Sequence, residues 1–150
     1  MTPDGVDRAA RAVWARTRLR VWPERYVLAS LPPNALAEAA SVIGSASGFV
    51  ALVSERDEVS VTLTEQAWKA SALRVRASAE AGPYRAITFD VDIDLTVVGY
   101  LAPAAARLAR ARVSIVPQCA FLKDHLLVRE ADLKTAVGVL EGLIEECRAA

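Results

Sequence analysis

The segment RAITFDVDIDLTVVGYLAPAAARLARARVSIVPQCAFLKDHLLV, residues 85–128, changes its hydrophobic period from two to about 3.6 and back again. Over 85–95, Ile87, Phe89, Val91, Ile93 and Leu95 alternate with Thr88, Asp90, Asp92 and Asp94. Successive side chains of a strand point to opposite faces, so this alternation predicts a strand with one dry face. Over 98–111, Leu101, Ala104, Ala105 and Leu108 share a stripe while Arg107 and Arg110 lie elsewhere, which predicts an amphipathic helix. Pro103 is tolerated only in the first turn, where its missing N–H is not needed, and this sets the helix start near Gly99 to Leu101. Two further strands are expected at 113–116 and 121–128, joined through Pro117 to Ala120. A long helix follows over 130–148, with Leu133, Val137, Leu140 and Ile144 at helical spacing and Glu130 and Asp132 at its positive end.

The first half carries the same grammar. Tyr26 to Leu31 reads as a strand stopped by Pro32 and Pro33, and Asn34 is expected to cap a helix on Leu36, Ala39, Ala40 and Ile43 that Gly44 ends. Phe49 to Ser54 and Val59 to Leu63 read as a hairpin, Glu65 to Trp68 as a short helix and Leu73 to Arg76 as another strand. The run Ala79, Glu80, Ala81, Gly82, Pro83 reads as a linker. Two copies of strand, helix, strand, strand, helix imply an α+β fold of two ferredoxin-like βαββαβ units, with antiparallel sheets and helices on one face. The expected organisation is an N-terminal extension over 1–22, a first unit over 23–79 and a second over 83–150. The second unit lacks sequence for its last strand, so Leu19 to Trp22 or Leu73 to Arg76 is expected to supply it. The extension is rich in arginine (Arg8, Arg11, Arg16, Arg18, Arg20), but Asp4 and Asp7 argue against a transit peptide, leaving a leader helix or a disordered segment.

Composition narrows the function. The chain has 150 residues, with 18 Lys plus Arg against 18 Asp plus Glu, and 53% are hydrophobic. That apolar share is enough to offset chain entropy, so a folded protein is expected. A net charge of zero argues against a nucleic-acid surface. The longest apolar windows, 97–106 and 113–116, fall well short of the roughly 20 residues of a membrane span. Two cysteines, Cys119 and Cys147, and one histidine, His125, form neither a disulfide framework nor a zinc motif, so a reducing cytoplasm is the simplest compartment.

Several features invite chemistry and are better read as structure. Asp90, Asp92 and Asp94, about 7 Å apart on one strand face, could hold a hard cation, but a solvated or arginine-paired face is the preferred reading. His125 and Asp124 are strand neighbours pointing to opposite faces, so His125 is read as a packing residue and not as half of an acid/base pair. Cys119 has no base beside it. Gly44 to Gly48 looks like a phosphate loop but runs from helix to strand without a lysine, the wrong order for a phosphate cradle. Trp14, Trp22 and Trp68 are read as core or interface anchors.

Residues 92–128, through their D-L-T-V-V-G-Y-L and K-D-H-L-L-V motifs, resemble the signature of ACT domains, in particular that of small bacterial tandem ACT proteins, a group related to the ACT repeats of cytosolic arginine sensors of animals. Residues 25–78 resemble it more weakly, through 49–53, 58–60 and the Glu65 to Trp68 step. The resemblance implies non-catalytic, regulatory binding of a small molecule, usually an amino acid, at an interface between ACT units; no cofactor or metal is expected, and unpaired sheet edges imply a homodimer. It places Asp94, Val97, Val98 and Gly99 on one side of the pocket and Gln118, Cys119, Ala120, Phe121 and Asp124 on the other. Gly99, without a Cβ, would let a ligand carboxylate reach backbone N–H groups. One departure is Arg112, where the family usually has glycine, so a left-handed turn there would be mildly strained. The alternative is a structural module that joins a partner protein without a ligand.

Overall fold

A computed structural model describes residues 5–150, and Asp4 lies outside them. The chain forms helix α1 (Arg8–Arg16), strands β1 (Leu19–Val21) and β2 (Tyr26–Leu31), helix α2 (Leu36–Ser45), strands β3 (Ala51–Ser54) and β4 (Val59–Thr64), helix α3 (Glu65–Ala70), the long strand β5 (Ala79–Phe89), helix α4 (Leu101–Arg110), strands β6 (Ile115–Cys119) and β7 (Asp124–Arg129), and helix α5 (Leu133–Ala149). It divides into two compact units, residues 22–86 and residues 87–150 with the described part of 1–21. Both are ferredoxin-type, and together they make the mixed α/β fold of two βαββαβ units that the sequence implies.

In the 22–86 unit the strand order is β3-β4-β2-β5. The register runs from Tyr26 opposite Thr64 to Leu31 opposite Val59, and the outer hairpin pairs Ala51 with Thr62. Val59, Val61 and Leu63 alternate along β4 into a core with Ala29, Leu31, Ala35, Ala39, Trp68 and Leu73. Thr64 starts α3 by accepting the Ala67 N–H at 3.1 Å. Asn34 does not cap α2: it lies in a single 3-10 turn, Pro33–Ala35, and its side chain accepts from Arg76. Leu73 to Arg76 is a 3-10 turn and not a strand, because the Ser71 hydroxyl takes the Leu73 N–H at 3.0 Å and bends the chain. Residues 79–83 are not a linker either, since β5 begins there and pairs Ala79 with Ser30.

In the other unit the strand order is β1-β5-β7-β6. Leu19 to Trp22, one of the two segments expected to complete this sheet, does so: Leu19 lies opposite Phe89 and Val21 opposite Ile87. Leader residues form a helix, with Asp7 accepting the Ala9 N–H at 2.8 Å, and α1 buries Trp14 against Phe89 and Tyr100. The Trp14 indole donates to the Tyr100 carbonyl at 2.7 Å. Apolar residues of α4, β7 and α5 complete the core with Leu108, Leu126, Leu140 and Leu143.

The predicted strand over 85–95 stops at Phe89. Ala86, Ile87, Thr88 and Phe89 are all buried, so the pairing portion has two dry faces where the alternation implied one. Beyond it the aspartates cannot enter a buried ladder without partners, and the chain turns out: the Asp90 N–H reaches the Arg18 carbonyl at 2.7 Å and the Val91 N–H folds back on Phe89. Pro103 lies in the first turn of α4, as its missing N–H requires.

Candidate functional site

The two units differ in how the first strand leads into the first helix. In the 22–86 unit four residues, Pro32 to Ala35, separate β2 from α2, whereas eleven, Asp90 to Tyr100, separate β5 from α4. The longer loop faces the β6–β7 turn, and the Ile93 N–H joins them by donating to the Leu122 carbonyl at 2.8 Å. The turn is closed by the Ala120 N–H on the Lys123 carbonyl at 2.9 Å. Between loop and turn lies a cleft of about 450 Å³ lined by Asp92, Ile93, Asp94, Leu95, Phe121 and Leu122.

Its two acids are held differently. Asp92 is bound by the Lys123 ammonium at 2.5 Å, and the same lysine lies 3.5 Å from Asp90. Asp90 also accepts from Arg20 at 2.8 Å. Desolvation works to raise the Asp90 pKa, but Arg20 and Lys123 outweigh it and hold the carboxyl below its ordinary value. Asp90 and Asp92 are therefore a paired charge cluster, and no group of His, Cys, Asp or Glu among the described residues is arranged to hold a metal ion. Among the described residues Asp94 pairs with no cation. Its Oδ1 accepts the Thr96 hydroxyl at 2.6 Å and the Thr96 N–H at 2.8 Å, and these bonds keep it ionised by lowering its pKa. The Val97 N–H on the Asp94 carbonyl at 3.0 Å completes the turn that fixes the carboxylate.

The apolar part of the cleft is unusually open. Phe121 is 74% exposed and Leu95 is 71% exposed, although each is large enough to be expected in a core. Val98, 75% exposed, extends the same apolar surface along the loop. An ionised carboxylate beside exposed Leu and Phe side chains suits a molecule whose cationic group adjoins an apolar one.

The structure distributes the nine sequence-derived residues as follows. Asp94 and Phe121 meet across the cleft. Val97 is half-buried and packs on the core, while Gly99 adopts φ +76° with open space where a Cβ would stand. Gln118 and Cys119 end β6, Ala120 starts the turn, and Asp124 begins β7 directly opposite Cys119. Burial pushes the Cys119 thiol up to about 11, aided by the Asp124 carboxylate, so it is a poor nucleophile. His125 also stays structural: its Nδ1 lies 2.7 Å from the Thr88 hydroxyl, and burial lowers its pKa. Sequence reasoning missed Ile93, Leu95 and Leu122 as lining residues. The signal for Leu122 was present, since Phe121 and Leu122 are two large apolar residues falling in a two-strand turn.

No protein-family model matches the chain, and no curated protein matches it. Solved structures do. A Vibrio cholerae protein of unknown function superposes with a TM-score of 0.70 at 19% identity, covering 91% of this chain and 96% of that one. The aspartokinase alpha and beta subunits give a TM-score of 0.67 at 15% identity, with 85% and 97% covered. The regulatory subunit of aspartate kinase from Thermus thermophilus gives 0.61 at 10% identity, again with 85% and 97% covered. The fold is therefore the ACT-like one of aspartate kinase regulatory domains. No helix among the described residues is long and apolar enough to cross a membrane.

Proposed function

We propose that this chain is a non-catalytic regulatory protein of ACT type that binds a small molecule, an amino acid with an apolar side chain, at the loop of residues 90–100. The observation that carries the reading is the cleft in which Asp94, ionised and oriented by Thr96, stands beside Leu95, Phe121 and Leu122. The ligand's ammonium pairs with Asp94 and its side chain covers the exposed apolar residues. Its carboxylate is taken by the backbone N–H groups of Val98 and Gly99, beyond the Val97 N–H that the Asp94 carbonyl holds, where the open space at Gly99 admits close approach. Gln118, Cys119, Ala120 and Asp124 form the shell behind the turn. Support comes from the fold, shared with the regulatory subunit of aspartate kinase. The protein works in the cytoplasm as a homodimer, and occupancy of the cleft is passed to a partner through the loop.

A thermal-shift screen with the amino acids tests this. A ligand at about one hundred times its dissociation constant stabilises by about 2.7 kcal/mol, a rise of several degrees. Asp94→Asn should remove the response. If no amino acid raises the melting temperature, the reading is wrong.

A second reading is favoured by one observation, the exposure of Leu95, Val98 and Phe121. In it the apolar surface is covered by a protein and not by a ligand. Gly99→Trp separates the two, because it blocks a small-molecule pocket but leaves assembly intact when protein docking is the only role.

A further inference from the structure

The 22–86 unit carries a cleft of its own, about 700 Å³, walled by Glu24, Arg25, Ser47, Thr64, Glu65 and Lys69. Its walls are set by the scaffold. Tyr26 is fully buried behind it, and its hydroxyl accepts the Phe49 N–H at 3.1 Å while donating to Glu24 Oε2 at 3.1 Å. That single phenol therefore fixes both an acidic wall residue and the 46–50 connection. The connection is held closely, since a Cβ on Gly48 would stand 3.1 Å from the Thr64 methyl and 3.2 Å from the Tyr26 hydroxyl, at φ +79°. Thr64 is locked by the Ala67 N–H, and the Glu65 N–H ties the Arg25 carbonyl at 2.8 Å. Lys69 donates one of its three N–H groups to Glu65 at 2.6 Å.

The charges of this cleft balance: Glu24 and Glu65 against Arg25 and Lys69. An inorganic anion would meet two carboxylates there, and a metal ion would meet two cations. An apolar molecule would strip water from charged and hydroxyl groups without replacing their hydrogen bonds. A molecule with one positive and one negative group, plus polar atoms for Ser47 and Thr64, matches both signs of wall charge, since Lys69 keeps two N–H groups beyond its bond to Glu65, and the volume is of the size that holds small ligands. We infer that this cleft is a second binding site, for a small zwitterion with a polar side chain, of which a free polar α-amino acid is the simplest case. It lies within the 22–86 unit and is independent of the Asp94 cleft, so the chain would sense two ligands of different polarity.

The test uses the full chain and the twenty L-amino acids at about 10 mM, a concentration that saturates sites of sub-millimolar affinity. At least one polar amino acid should raise the melting temperature by about 5 °C. Its N-acetyl and its carboxamide derivatives, which each lack one charge, should bind about ten-fold or more weakly. Glu24→Gln and Lys69→Met should each weaken that amino acid by about ten-fold with unchanged circular dichroism, while Asp94→Asn leaves it unaffected. Absence of any shift with polar amino acids overturns the inference, as does equal binding of the N-acetyl or carboxamide form. Loss of binding in Asp94→Asn alone overturns it while leaving the Asp94 reading intact. Loss in none of the variants places the ligand elsewhere and overturns the inference, whereas the Asp94 reading is judged by the apolar amino acids.

Discussion

Among the described residues, Arg112 alone of the non-glycines has a positive φ, 63°. It ends α4, where the Val113 N–H reaches back to the Leu108 carbonyl at 2.9 Å, and this closure needs a left-handed residue. A side chain there costs about 1 kcal/mol or more. Arg112→Gly should therefore stabilise the protein by about 0.5–1 kcal/mol, read as a rise in the midpoint of chemical denaturation. A second residue-scale effect is alkaline. Burial pushes the Tyr26 phenol up to about 12, and the neighbouring Glu24 adds to it. The unfolded chain releases this proton near pH 10 whereas the folded chain keeps it. The contribution is thus complete below about pH 10 and is lost as pH rises toward 12. Melting temperature should fall more steeply across that window in the wild type than in Tyr26→Phe.

At the scale of elements, β5 has the most demanding task, because Ala79 to Tyr84 pairs with β2 and Ile87 to Phe89 pairs with β1. Where its register with β2 shifts between Tyr26 and Leu28, a Cβ on Gly82 would stand 2.9 Å from the Tyr26 carbonyl oxygen. Gly82→Ala should cost about 1–3 kcal/mol, measured by denaturant titration, because backbone must move to admit it. The sequence hid this strand for a physical reason: small residues with Gly-Pro are local breaker signals, while the pairing that overrides them comes from β2, some fifty residues away. Elements set by their own periodicity were legible, including Tyr26 to Leu31, the hairpin around 55–58 and the helix carrying Leu140 and Ile144. Elements set by caps or distant partners were not. Ser71 turned the alternating run Leu73 to Arg76 into a 3-10 turn, and only the sheet decided that Leu19 to Val21 completes the second unit. The cleft was half legible on the same terms. Asp94 and Phe121, both inside the 92–128 segment that carries the resemblance, line the cleft, but strict alternation assigned Ile93 and Leu95 to a dry strand face that ends at Phe89.

For the whole molecule, each unit has its own core, and the N-terminal helix is part of one. Trp14 is fully buried, stacked 4.5 Å from Tyr100 and set edge-on to Phe89 at 5.1 Å. Trp14→Ala should cost about 3–5 kcal/mol. Because the 22–86 unit contains neither Trp14 nor its partners, the loss should appear as early exposure of amides in 87–150 by hydrogen exchange, ahead of those in β2 and β4. Neutral charge, two ferredoxin-type units and a long loop in only one of them are the features on which the proposed small-molecule site rests. The most direct measurement of that claim is an amide NMR titration of the full chain with each amino acid. Saturable shifts should concentrate at 93–99 and 120–123 for an apolar amino acid and vanish in Asp94→Asn. Amides of those two segments that stay in place with every amino acid would contradict the account.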